Sequence, residues 1–179
     1  MAMPPKFILI LFSKKKSVLD AVAEGVNLVI FFQNFPKFNT SWLPGSIAGA
    51  DSDANEFRWT VEHPICAKVD PAALAGNAVV NDALVGGDAE WKSITEPRGG
   101  LMLRQHGKGQ IIFCQLDVLH RWKEPAAKQL IQNILSFAAG NRKNPRFVLL
   151  DAGAGTDSVL TRLNVKYLWL DELPLNTEK

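Results

Sequence analysis

The chain has 179 residues, a net charge of +2, 47% hydrophobic residues and 21% charged residues. That is the make-up of a globular domain whose core hides roughly 70% of the surface of the unfolded chain. The near-balanced charge excludes a broad electrostatic footprint for nucleic acid, and no apolar run approaches the ~20 residues that span a bilayer, so neither nucleic acid nor membrane is expected as a partner.

Residues 6–12 read as a buried strand. The run is too short for a secretory h-region, lacks a small-residue cleavage pattern and continues into Lys14, Lys15 and Lys16, so no signal peptide is expected here. The lysines read as a solvated turn before a helix. A short helix over 17–23, stopped by Gly25, and a second buried strand over 27–32 make a βαβ unit, which predicts neighbouring parallel strands. The stretch 34–56 has Pro36, Pro44, Gly45 and Gly49 and no clear periodicity. Loops of such length serve as lids or binding segments, or pack their own aromatics as surface excursions, and both readings stand for Phe35, Phe38 and Trp42.

A strand over 57–61, a break at His63-Pro64, a helical turn over 71–74 and strands over 79–85 and 91–94 follow. Residues 99–104 and 110–114 read as an antiparallel hairpin around Gly107 and Gly109. The second of these strands is apolar enough for burial on both faces. Glu124 and Pro125 then open a helix in which Leu130, Ile131, Ile134, Leu135 and Ala138 recur at helical spacing, and Gly140 and Asn141 end it. Residues 1–143 thus form an α/β domain with a mostly parallel sheet flanked by helices. The tail, 144–179, repeats a strand (146–150), a helix (157–163) and a strand (166–170); without a core of its own, it either joins the main sheet or begins a following domain.

The polar residues Gln115, Asp117, His120 and Arg121 fall just past the carboxyl end of a strand, where open α/β sheets keep ligand sites. Asp117 and His120, three apart, are placed to meet on a turn, with capping or a salt link to Arg121 as the plainer reading. Cys114 reads as an inert core thiol. Cys66 follows His63 by three residues, which does not make the two a catalytic pair, and two cysteines without metal-ligand spacing imply neither a disulfide scaffold nor a metal site. The loop Gly153-Ala154-Gly155-Thr156-Asp157-Ser158 nearly follows a dinucleotide pattern, but Ser158 replaces its third glycine, so it reads as a glycine-rich turn capping a helix. No cofactor is expected. Of five tryptophans, Trp42, Trp59, Trp91 and Trp122 lie in or beside loops, as core and interface side chains or as platforms for sugar.

Three stretches together resemble class I glutamine amidotransferase-like domains, above all those in bacterial glycoside hydrolases of the beta-galactosidase type. They are Val-Ala-Glu-Gly-Val-Asn-Leu-Val-Ile-Phe-Phe-Gln over 22–33, His63-Pro64 with Asp70 and Leu74, and 107–117 with the helix over 124–137. The resemblance covers roughly residues 6–140 as a pattern of elements. It implies a flavodoxin-like, three-layer fold and, in catalytic members, a cysteine on a strand-to-helix turn with a histidine after a late strand. Here the turn offers Gln33 and Asn34, and Asp117 stands in the histidine's place. An amide cannot replace a thiolate.

The expectation is therefore a non-catalytic accessory or structural module of a bacterial carbohydrate-active enzyme. Its partners would be that enzyme's other domains and carbohydrate, with room for an oligomer and for an exported parent. The alternatives are a small hydrolase with a rearranged site around Asp117 and His120, with or without a metal, and a carbohydrate-binding module. The candidate ligand-binding residues are Gln33, Asn34, Gln115, Asp117, His120 and Arg121.

Overall fold

The computed structural model describes residues 8–10, 15–32, 40–51, 58–74, 82–86, 88–96, 99–140, 146–150 and 156–162. In chain order its elements are β1 (Ile8–Ile10), α1 (Lys15–Ala23), β2 (Asn27–Ile30), β3 (Ile47–Asp51), β4 (Arg58–Trp59), a 3-10 turn (Pro64–Cys66), α2 (Pro71–Leu74) and β5 (Asp82–Gly86). Then follow β6 (Lys92–Ser93), β7 (Thr95–Glu96), β8 (Leu101–His106), β9 (Gly109–Cys114), α3 (Pro125–Ala139), β10 (Arg146–Leu150) and α4 (Thr156–Arg162). The strand expected over 166–170, the glycine loop before α4, and Gln33 and Asn34 lie outside the described residues.

The main sheet is mixed. Its strands lie in the order β1-β10-β2-β9-β8-β6; the first four are parallel, and β8 and β6 are antiparallel to their neighbours. The hairpin expected around Gly107 is β8–β9, with Leu101 opposite Cys114 and His106 opposite Gly109. One expectation is corrected. β1 and β2 are parallel but not neighbours, because β10 lies between them and pairs with both. Chain order does not set lateral order, and Phe-Val-Leu-Leu in β10 is the continuous apolar run that suits an interior parallel strand.

Side-chain alternation sends the two faces of the sheet to different helices. Leu28 and Ile30 of β2, Ile111 and Phe113 of β9 and Met102 of β8 pack with Val18 and Val22 of α1. On the other face Val29, Phe31, Ile112, Cys114, Leu101 and Leu103 pack with Leu130, Ile131, Ile134, Leu135 and Ala138 of α3, joined by Val159 and Leu160 of α4. The helical spacing of those α3 residues is thus the spacing of its buried stripe. Pro125 sits in its first turn, and Gly140 closes it at φ 60°.

The glycines of the hairpin owe their place to close approach. A Cβ on Gly107, at φ 57°, would stand 2.6 Å from the Ala23 backbone, and one on Gly109 would stand 2.2 Å from the Val26 carbonyl oxygen. The turn therefore docks on the end of α1, where Lys108 N–H donates to Ala23 O at 2.9 Å.

Two further expectations are revised. Lys15 and Lys16 belong to the first turn of α1 rather than to a turn before it. The stretch 34–56 is not structureless, since its residues Ile47–Asp51 form β3, antiparallel to β5. The sequence Ile-Ala-Gly-Ala-Asp carries almost no strand signal, and its partner lies some thirty residues on, so pairing rather than propensity makes this strand. The strand expected over 91–94 shortens to β6, at the sheet edge, and β7, just beyond that range, pairs with β4 instead.

Candidate functional site

At the carboxyl end of β9 the chain leaves the sheet through Gln115, which is fully buried and donates its N–H to Gly100 O at 2.8 Å. Leu116, Val118 and Leu119 then turn inward and join the core on the α3 face. That anchoring leaves Asp117 and His120 on the outer side of the turn, with side chains 32% and 70% exposed. Their contact is short, with His120 Nδ1 2.6 Å from Asp117 Oδ1. An ionised carboxylate only accepts, so Nδ1–H donates to it, and in the neutral imidazole Nε2 then carries the lone pair. This arrangement can orient an imidazole as a proton acceptor at the surface.

Arg121, three residues before Glu124, faces elsewhere. Its Nε and one terminal nitrogen donate to the Glu124 carboxylate at 2.9 and 2.5 Å, and the guanidinium also reaches Leu74 O at 2.9 Å and Ala73 O at 3.4 Å. The guanidinium holds the Glu124 carboxyl below its ordinary range. Arg121 thus ties the end of α2 to the start of α3. Of the six residues expected to bind a ligand, Asp117 and His120 come together, Gln115 is buried beneath them and Arg121 is spent on the fold; Gln33 and Asn34 lie outside the described residues.

Neither thiol is activated. Cys114 is fully buried, donates weakly to Leu116 O at 3.8 Å and is pushed up to about 12, chiefly by burial. Burial likewise pushes Cys66 up to about 11. His63, which would have to act as its base, is the cap of the 3-10 turn: its Nδ1 accepts Ile65 N–H at 3.3 Å, and its ring meets Phe137 edge-on at 4.8 Å. Burial lowers the pKa of His63. The two share no side-chain hydrogen bond, and nucleophilic cysteine chemistry needs the thiolate.

An open groove of about 760 Å³ runs along this segment, lined in part by Trp59, Val61, Glu62, His63 and Cys66. Its walls are fixed from behind. Trp59 Nε1–H donates to Val69 O at 2.9 Å, and Asn133 of α3 donates to Ile65 O and Ala67 O at 2.9 and 2.8 Å. Val61, 49% exposed, is the large apolar side chain most open to water among the described residues. Of the loop tryptophans, Trp59 alone lines this groove; Trp91 is buried in the core, Trp42 packs against it, and Trp122 lies under the guanidinium of Arg162 at 5.2 Å. In the sequence the groove is signalled only by Trp59 and the break at His63-Pro64, two features that local pattern does not connect.

Among the described residues no three His, Cys, Asp or Glu side chains converge to hold a metal ion, and no helix is long and apolar enough to cross a membrane. Comparison of the chain with protein-family models, with curated proteins and with solved structures finds no match.

Proposed function

We propose that this chain is a non-catalytic module of a bacterial carbohydrate-active enzyme, with the flavodoxin-like, three-layer fold of the amidotransferase-like domains it resembles. It would hold a larger glycoside hydrolase together or add a wall to its sugar cleft. The observation that carries the reading is chemical: burial pushes both thiols up and keeps them from acting as nucleophiles. The resemblance adds that Asp117 would occupy the position of the catalytic histidine in active amidotransferase-like domains. Helices on both faces of a mostly parallel sheet support the fold part of the reading. The purified chain is expected to show neither glutaminase nor glycosidase turnover. Turnover abolished by a single substitution would overturn the proposal.

The Asp117–His120 contact favours a second reading, a small hydrolase in which Nε2 of His120 accepts a proton from water or substrate. With two ligands in place, the metal-assisted form of that reading lacks a third among the described residues. Ester hydrolysis lost in His120→Ala and in Asp117→Asn would support it; activity indifferent to both would remove it.

A further inference from the structure

Arg104 of β8 shares a face with Met102, the α1 side of the sheet, and is 8% exposed. One terminal nitrogen meets Asp88, the other meets Glu90 Oε2 at 2.7 Å, and the guanidinium carbon lies 5.8 Å from the Trp91 ring centre. Its Nε has no hydrogen-bond partner among the described residues. The compensation of this buried charge therefore comes from two carboxylates on one short segment, whose side chains are 46% and 68% exposed.

Residues 40–47 pack on the same face of the sheet, with Gly45 against that guanidinium. Thr40 Oγ1–H donates to Ile47 O at 2.6 Å and Leu43 N–H to Thr40 O at 2.8 Å, which closes the segment on itself. It buries Leu43 and Ile47 against Val18, Val22 and Met102. Trp91 Nε1–H reaches down to Pro44 O at 2.7 Å. Gly45, at φ 86°, approaches so closely that a Cβ there would stand 2.6 Å from the Arg104 guanidinium and 2.9 Å from Asp88 Oδ2. Ser46 follows at φ 52°, a conformation that is unfavourable for a residue with a Cβ.

We propose that residues 40–47 are a strap latched by charge. Asp88 and Glu90 neutralise Arg104 beneath it, and loss of their charge leaves a buried, unpaired guanidinium that drives the strap off the sheet. Opening relieves Ser46 and uncovers the apolar surface around Val18, Val22 and Met102. The strap, Thr-Ser-Trp-Leu-Pro-Gly-Ser-Ile, carries no titratable side chain, and among the described residues Asp88 and Glu90 are the carboxylates paired with the guanidinium beneath it. The device does not depend on the accessory-module reading.

The test is amide hydrogen exchange on the full chain, comparing wild type with Asp88→Asn/Glu90→Gln and with the same pair combined with Arg104→Met. The double variant is expected to raise exchange over 40–47 by about tenfold or more while β2 and β9 stay protected. Adding Arg104→Met removes the stranded charge and returns the strap to slow exchange. Unchanged exchange in the double variant overturns the latch, as does a triple variant as fast as the double, or a rise shared equally by β2 and β9. If the double variant does not fold, the triple must; its failure too would overturn the proposal.

Discussion

Asn27 binds Ala138 across the sheet-helix boundary. Its Nδ2–H donates to Ala138 O at 2.7 Å, while its Oδ1 accepts Gln110 N–H at 2.9 Å. One side chain at the start of β2 thus fixes the end of α3 and the register of β9. Asn27→Ala leaves a carbonyl and an N–H without these partners and is expected to cost about 1–3 kcal/mol, read as a lower urea midpoint with unchanged slope. A midpoint equal to wild type would show that water replaces both bonds without loss.

A hairpin glycine and the glycine that closes α3 give a contrast of mechanism. Gly109→Ala drives a Cβ against the Val26 carbonyl oxygen, a backbone atom that moves only with the α1–β2 connection, and is expected to cost about 3 kcal/mol or more. Gly140→Ala meets nothing within 4 Å and costs the strain of φ 60° and ψ −169° alone, about 1–3 kcal/mol. Thermal melts of the two variants should rank them in that order.

Thiol titration checks the state of both cysteines. With Cys66 pushed up to about 11 and Cys114 to about 12, the native protein at neutral pH should react with a disulfide reagent about a hundredfold more slowly than free cysteine. Denaturant should release both thiols together. Rapid labelling of Cys66 in the native state would reopen a cysteine-based activity in the groove.

Burial lowers the pKa of His63 below 6.5 in the folded chain. The unfolded chain therefore takes up the proton first as pH falls, and the stability tied to neutral His63, full above pH 6.5, is lost as pH drops towards the folded value. His63→Asn keeps an acceptor for Ile65 N–H and removes the titration. Denaturation midpoints between about pH 7.5 and about pH 5.5 should fall less in the variant than in wild type; equal slopes would place the acid sensitivity elsewhere. Asp88, held below its ordinary 3.8 first by its hydrogen bond from Arg104, acts further down: its contribution is full above 3.8 and is lost as pH falls through the folded value.

The Asp117–His120 pair stands largely in water, so Asp117→Asn should change stability by less than about 1 kcal/mol. A larger loss in the melting temperature would mean that the pair braces the turn after β9.

Local pattern determined a good part of this protein. The continuous apolar run of β9, the stripe on α3, the Gly-Lys-Gly turn and the Asp117–His120 spacing were all legible, because their causes lie within a few residues of one another: helical and strand periodicity, a turn that needs glycine, two side chains three apart. Tertiary structure decided the rest. It placed β10 between β1 and β2, paired the weak strand β3 with β5, and turned Arg121 onto α2 instead of towards a ligand. It also braced the wall of the open groove with Asn133, through Ile65 O and Ala67 O, and set Gly45 on a guanidinium some sixty residues away in sequence. Each of these depends on which surface is left to bury, or which polar group is left to satisfy, once distant segments meet. That competition is settled by packing and desolvation over the whole domain.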